Sequence, residues 1–282
     1  MSLLLVLRKQ NQQKSRSFRC NSAHRTRPFR TSGFSLQYLT RAQQLLPIKS
    51  LTFAARLFTM ENIRTALIAG ATGLTGNFVL QLLLASENYK RVVAVTRKPL
   101  SLHHEKLFNP VISDFSELYL HKKDLQADDV YCCTGTTIKV AGTKEIFRKA
   151  DYNIPVDLAA ITKANGAKQF LLISSLGANK NSLFFYNRIK GEVEEELKKM
   201  NFMALKIFRP SLITGERKKV RKAEEISIKF FRQFNFIFSG PLKSYAPIAA
   251  VTIAKAMVKT GAVLRAGTEI FESEKIKELA EE

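Results

Sequence analysis

Short apolar runs alternate along the chain with stretches whose apolar residues recur every three or four positions, and the alternation starts near Thr65. Thr65-Ala66-Leu67-Ile68-Ala69 reads as a buried strand and runs directly into Gly70-Ala71-Thr72-Gly73-Leu74-Thr75-Gly76. Phe78, Val79, Leu82 and Leu83 give the next segment an apolar helical face, and Arg91 to Thr96 reads as a second buried strand. Further strands are expected near Val111-Ile112, at Val130 to Cys133, at Gln169 to Ile173 and at Met203 to Phe208. Between them lie a helix carrying Ile154, Leu158 and Ile161 and ended by Asn165-Gly166, and a charged helix from Tyr186 to Met200. A last helix is expected around Val251 to Val258, with Ile253 and Met257 facing inward. Strands alternating with amphipathic helices predict an α/β fold whose parallel sheet is covered on both faces.

In such a sheet, ligands gather at the carboxyl ends of the strands. The glycine run sits at the first of these ends and reads as a turn around a diphosphate. Gly70 permits the tight turn, Gly73 lets backbone approach the pyrophosphate, and Gly76 lets the following helix lie against the strand. No Gly-x-x-x-x-Gly-Lys-Ser/Thr pattern occurs, which excludes the phosphate loop of nucleotide-hydrolysing proteins. Arg97, Asp114, Thr134-Gly135 and Ser175 fall at other strand ends and should converge on the same crevice. Where NAD-binding folds carry an acid after the second strand, this chain has Thr96-Arg97-Lys98, two cations suited to a 2′-phosphate. NADP(H) is therefore expected rather than NAD(H). Asp114 beside Phe115 offers a carboxylate to the adenine amino group, though Asp-Phe is also a common turn. Thr134-Gly135 would let backbone pass close to the ribose and nicotinamide.

Candidate chemistry lies on the charged helix. Tyr186 and Lys190 are four residues apart and emerge on one face. A tyrosine exchanges protons poorly near neutrality unless a neighbouring ammonium favours its phenolate. Ser175, at the preceding strand end, is placed to hold a substrate oxygen while Tyr186 exchanges the proton. Tyr119 and Lys123 repeat the spacing, but too early in the alternation to face the nicotinamide end, so they are expected on a solvated face.

Charge changes the picture mainly at the beginning of the chain. Lys and Arg number 45 against 24 Asp and Glu, yet the first 59 residues hold 11 of the cations and no acid. Residues 1–59 are Arg-, Ser- and Gln-rich, have no apolar run able to span a bilayer, and stand outside the expected fold. Because the first expected strand begins only a few residues after Met60, they read as an extension upstream of a start at Met60 in a cytoplasmic protein; the alternative is an organellar transit peptide, with a mitochondrial matrix protein as the outcome. A nucleic-acid arm is disfavoured because few aromatic residues interleave with the charges, although Arg217 to Lys222 is a second dense basic run. Residues 60–282 suit one domain. Cys20, Cys132 and Cys133 imply no disulfide framework, and the four histidines do not join them at ligand spacing, so no metal is expected.

Taken together, Gly70 to Gly76, Asp114-Phe115, Cys132 to Thr137, Ser174 to Ala178, Tyr186 to Glu192 and Phe208 to Pro210 resemble an atypical short-chain dehydrogenase/reductase. Within that class the chain is most similar to the Tat-interacting-protein-like NAD(P)-binding oxidoreductases, in the right order from about Ile63 to Thr260. The resemblance implies a Rossmann-type, doubly wound parallel sheet in a single domain with a small C-terminal substrate-side region. It carries the proton acceptor onto Tyr186 and its partner onto Lys190. It puts coenzyme contacts at Thr72, Gly73, Leu74, Thr75, Arg97, Lys98, Thr134 and Gly135, and further ones at Ile213 and Arg221. The chain lacks that family's extra Gly and acidic residues after Thr137.

The expected activity is NADPH-dependent reduction of a small carbonyl-type substrate through Ser175, Tyr186 and Lys190. An NADPH-binding regulator that grips a protein partner without turnover is the alternative, since one fold serves both. Substrate identity should reside between Ile213 and Ala246, whose aromatic and basic mixture equally suits a cap on the core.

Overall fold

The computed structural model describes residues 64–215 and 246–282. The 1–59 segment, Arg217 to Lys222, Arg221 and most of the stretch expected to select substrate lie outside these residues. Nine strands occur among them: β1 (Arg64–Ala69), β2 (Tyr89–Val95), β3 (Leu107–Phe108), β4 (Asp129–Cys132), β5 (Gln169–Ile173), β6 (Ala204–Arg209), β7 (Ile213–Thr214), β8 (Ile248–Ala249) and β9 (Gly267–Glu272). The helices are α1 (Leu74–Ala85), α2 (Ile138–Ala141), α3 (Lys144–Arg148), α4 (Ile154–Ala164), α5 (Phe185–Lys199), α6 (Ala250–Ala262) and α7 (Ser273–Glu281). A 3-10 segment covers Phe115–Asp124, and a π turn at Lys149–Asn153 joins α3 to α4.

Seven strands form one parallel sheet in the order β3-β2-β1-β4-β5-β6-β9, so the winding reverses between β1 and β4. Register carries the functional consequence. Ala69 pairs with Val95 on one side and Cys132 on the other, Cys132 pairs with Leu172, and Ile173 pairs with Phe208. The strands therefore stop at one level, and the loops after β1, β2, β4, β5 and β6 stand side by side at the switch point, where open α/β sheets bind ligands.

Alternation of side chains splits the core between the two faces. Ile68, Ala94, Tyr131, Leu171 and Phe208 pack under α1 and α6, through Val79, Leu83, Ile253 and Met257. Leu67, Val95, Val130, Cys132, Phe170 and Leu205 pack under α4 and α5, through Leu158, Ile161, Val193 and Leu197. Cys132 and Cys133 fall on opposite faces, as adjacent strand residues should.

Two strands of the main sheet differ from the sequence reading, and the short β7 and β8, the helices α2, α3 and α7 and the 3-10 segment add to it. The third strand is Leu107–Phe108, and Val111 makes only an isolated bridge to Thr96. Between the two pairings the side chain of Asn109 takes the place of backbone, its amide nitrogen donating to the Ala94 carbonyl at 2.6 Å. The seventh strand, β9, was not anticipated. Its sequence Gly-Thr-Glu-Ile-Phe-Glu buries only Phe271, as suits an edge strand, and so shows no apolar run.

The amino ends of the strands are tied by a buried polar cluster. Arg64 Nη1 lies 2.7 Å from Asp129 Oδ2, which also accepts from the Tyr89 hydroxyl at 2.8 Å. The Tyr89 and Tyr131 hydroxyls are 2.8 Å apart. The last carbonyls of α6 accept from Arg64, Gln169 and Lys206, which satisfies groups that a helix end leaves open. Burial pushes the Asp129 carboxyl up despite Arg64, and burial also pushes the Lys206 ammonium down. A Cβ at Gly261 would overlap the Tyr131 hydroxyl. Gly261→Ala should therefore destabilise the protein by about 1–3 kcal/mol, read as a lowered midpoint in chemical denaturation with the slope unchanged.

Candidate functional site

The turn from β1 into α1 is built on backbone contacts. Gly70 has φ +86°, and a Cβ there would lie 2.5 Å from the Cys133 carbonyl oxygen. A Cβ at Gly76 would overlap the Gly70 carbonyl and stand 3.2 Å from Cys133 Cβ. The Gly70 carbonyl accepts the Gly73 N–H at 2.9 Å. Gly73 is the N-cap of α1 and offers no side chain to the first-turn N–H groups, and no acid occupies that turn. Thr72 and Gly73 are exposed, Leu74 is half-buried, and Thr75 and Gly76 are buried. Uncapped N–H groups at the positive end of a helix, approached through a turn with glycine at Gly70 and Gly73, fit a diphosphate.

Arg97 and Lys98 are exposed just past β2, and neither enters an ion pair among the described residues. Thr96 Oγ1 donates to the Lys98 carbonyl at 2.7 Å and so fixes the turn that displays them. Asp114 and Phe115 follow at the next strand end but are held structurally. The Asp114 carboxylate caps the 3-10 segment by accepting the Ser116 N–H at 2.9 Å and meets Lys149 Nζ at 3.2 Å. Those hydrogen bonds, first the one from Ser116, lower its pKa to about 2. The Phe115 ring is buried in the core on the α4 side. A groove of about 370 Å³ lined by Phe115, Arg148, Lys149 and Ile154 opens there, and it includes none of Tyr186, Lys190 or the glycine turn.

The loop after β4 brings Thr134 and Gly135 to α5. A Cβ at Gly135 would be 3.4 Å from Asp151 Oδ1 and 3.7 Å from Lys190 Nζ. Lys190 is buried, and its ammonium lies 2.7 Å from the equally buried Asp151. Tyr186, one turn earlier, is half-buried with its ring 5.6 Å from that of Phe147. The start of α5 is fixed by the loop that precedes it. Asn179 N–H donates to the Asn187 carbonyl at 3.0 Å, and a Cβ at Gly191 would overlap the Asn179–Lys180 backbone. Ser175 is part-buried at the head of this loop, donating at 3.3 Å to the Leu176 carbonyl, whereas Ser174 turns inward to Glu194. Glu194 also holds Arg209 at the end of β6, which raises the Arg209 pKa. Ile213 is half-buried in β7, and Gly215, directly after that strand, approaches Leu74 closely enough that a Cβ would lie 3.0 Å from Leu74 Cδ1. Tyr119 is exposed on the 3-10 segment, away from this group.

Gly70 to Gly76, Thr134, Gly135, Lys190 and Ile213 are thus linked through direct neighbours. Sequence reasoning missed Asp151 and Phe147. Asp151 lies in Lys149-Ala150-Asp151-Tyr152-Asn153, a polar stretch whose π geometry no periodicity announces. Among the described residues no helix is long and apolar enough to cross a membrane, and no group of three or more metal-ligating side chains occurs.

Comparison with known proteins bears on the same region. Residues 70–224 match a family model described as NAD(P)H-binding. Protein HTATIP2 of Rattus norvegicus is 33% identical over 204 residues, which cover 71% of this chain and 82% of that protein. The mitochondrial protein fmp52 of Aspergillus niger is 36% identical over 215 residues, covering 74% and 92% respectively. Among solved structures, MoeE5 in complex with UDP-glucose and NAD superposes with a TM-score of 0.56 at 15% identity, covering 77% of this chain and 81% of that one. A UDP-N-acetylglucosamine 4-epimerase from Methanobrevibacter ruminantium gives 0.56 at 17% identity, covering 76% and 80%. These structural likenesses speak for the α/β Rossmann-type fold alone. On the family match and its relatives, the chain belongs to the NAD(P)H-binding proteins of atypical short-chain dehydrogenase/reductase type.

Proposed function

We propose that the protein is an NADP(H)-dependent oxidoreductase acting on a small carbonyl-type substrate, with Tyr186, Lys190 and Ser175 as its working side chains. The observation that carries this reading is the contact between the two halves of the cleft. Lys190 Nζ, on the same helix face as Tyr186, abuts Gly135 in the loop beside the glycine turn. A protein that only bound the coenzyme would need the lysine for the ribose but not a tyrosine beside it at that junction.

The bound coenzyme would supply or accept a hydride. The first-turn N–H groups of α1 hold its diphosphate, and Thr72, Gly73, Leu74 and Thr75 line that contact. Arg97 grips the 2′-phosphate in paired hydrogen bonds and Lys98 adds a point charge. Thr134, Gly135 and Ile213 border the ribose and nicotinamide end, with Lys190 donating to the ribose. Asp114, its carboxylate engaged by Ser116 and Lys149, and Phe115, in the core, would border the adenine end through their backbone. Tyr186 exchanges the proton at the substrate oxygen, and Ser175 orients that oxygen. Arg221, outside the described residues, is assigned to the coenzyme on resemblance alone.

The relatives named mitochondrial favour the transit-peptide reading of residues 1–59. Mass spectrometry of the mature N-terminus from a mitochondrial fraction should then find cleavage before the first strand, and an intact Met1 there would refute import by a cleaved leader.

Arg97→Ala should weaken NADPH binding about 10–100-fold, the value of one or two charge-assisted hydrogen bonds, with NADH binding little changed in the same fluorescence titration. Equal losses for both coenzymes would remove the 2′-phosphate assignment. Tyr186→Phe should leave NADPH affinity intact while lowering turnover across a panel of carbonyl compounds by about 10²–10⁴-fold. Binding without turnover in both wild type and variant would instead make the protein a coenzyme-binding regulator.

A further inference from the structure

Asp151 falls on the buried face of its helical segment, four residues after Phe147 and four before Pro155, while Lys149 and Asn153 on either side of it are exposed. Lys149–Asn153 is a π turn, a local widening of the kind that recurs at functional sites. The buried carboxylate joins three elements. Oδ2 accepts the Thr136 N–H at 2.8 Å, which anchors the loop after β4. Oδ1 meets Lys190 Nζ at 2.7 Å, close but off the direction of an aligned hydrogen bond, so the attraction is mainly one of charge. The glycine backbone at 135 lies directly against the pair.

A lysine this buried does not hold its proton unaided, because a low-dielectric surround disfavours the ammonium. The titratable groups facing it are Asp151 from the π turn, Tyr186 from its own helix and Cys132 from the end of β4. Burial keeps the Cys132 thiol neutral by pushing its pKa up. Burial alone would pull Lys190 down; Asp151, followed by Tyr186, more than offsets this and leaves it above its usual value. Asp151 is the member of that group that can carry a full opposing charge at neutral pH.

We propose that Asp151 is a positioning residue that holds Lys190 in place and in its cationic form at the coenzyme cleft. The proposal rests on the reading of that cleft given above. Asp151 touches neither coenzyme nor substrate and acts through Lys190. Its consequence is a site whose cation does not titrate in the physiological range: with the folded-state value raised, the ammonium is present at all lower pH and is lost only as pH rises through that value.

The direct test is ¹³C NMR of lysine-labelled, coenzyme-free protein, with Lys190→Arg identifying the resonance. In wild type the Lys190 signal should stay at its charged position to about pH 10. In Asp151→Asn, which retains an acceptor for Thr136, its midpoint should fall by at least about one pH unit. In parallel, NADPH affinity should be flat from pH 7 to 9 for wild type, above the titration of the coenzyme's own 2′-phosphate, fall about tenfold per pH unit above the new midpoint in Asp151→Asn, and become flat again in Asp151→Glu. An unchanged midpoint in folded Asp151→Asn overturns the proposal. If that variant does not fold, the wild-type titration decides, and loss of the Lys190 proton below about pH 10 overturns it. Failure of wild type to bind NADPH would sink the coenzyme reading, while the lysine titration would still judge Asp151.

Discussion

Everything in the cleft is referenced to one close approach, that of the turn after β1 onto the turn after β4. The backbone at Gly70 rests on the Cys133 carbonyl, and Gly76 rests in turn on the Gly70 carbonyl, with no volume left for a side chain at either position. Because Ala69 and Cys132 are paired in register, this contact fixes where α1 begins relative to the loop carrying Thr134 and Gly135. The same loop is tied through Thr136 to Asp151 and so to Lys190. The diphosphate end and the tyrosine end of the cleft are thereby parts of one continuous piece of packed backbone rather than two loops that must find each other. Rigidity of this kind is what a binding constellation needs if its donors are to be placed before the ligand arrives.

The opposite end of the sheet supplies the support. Arg64, Asp129, Tyr89, Tyr131 and Gln169 form a connected polar cluster among the strand starts, with only the Gln169 amide oxygen left without a partner among the described residues, and with Lys206 they gather the last carbonyls of α6. That helix lies against α1, the helix whose N-terminus is the glycine turn. Buried polar networks are costly when half-made and specifying when complete. This one sets the position of α6 and, through it, the backing of α1, so residues far from the cleft govern its geometry.

How far this was legible in the sequence follows from which forces write themselves into local pattern. The main strands announce themselves because strands buried on both faces are continuous apolar runs, as in Ala66-Leu67-Ile68-Ala69 and Gln169-Phe170-Leu171-Leu172-Ile173. The glycine turn was legible because its residues answer to backbone geometry alone. The edge strand β9 was not, since one buried side chain in six leaves no apolar signature. Nor was the true place of the third strand, which depends on Asn109 substituting for backbone, a long-range exchange that composition does not encode. Asp114 and Phe115 were found at the expected strand end, but which way each side chain turns was decided by Ser116, Lys149 and the core. Asp151 was invisible for a related reason. Its role comes from a lysine 39 positions away, a pairing that no local pattern encodes.

The lateness of α6 in the chain has a consequence for how the protein comes into being. The flank of α1 is covered by a helix that begins at Ala250, more than 160 residues further on, and the β6 edge is closed only by β9. A ribosome will have released most of this domain before either cover exists, leaving bare apolar surface on a growing polypeptide. The core of this face is complete only when α6 and β9 have reached back across the sheet, and until then the apolar surface they cover is open to misassembly.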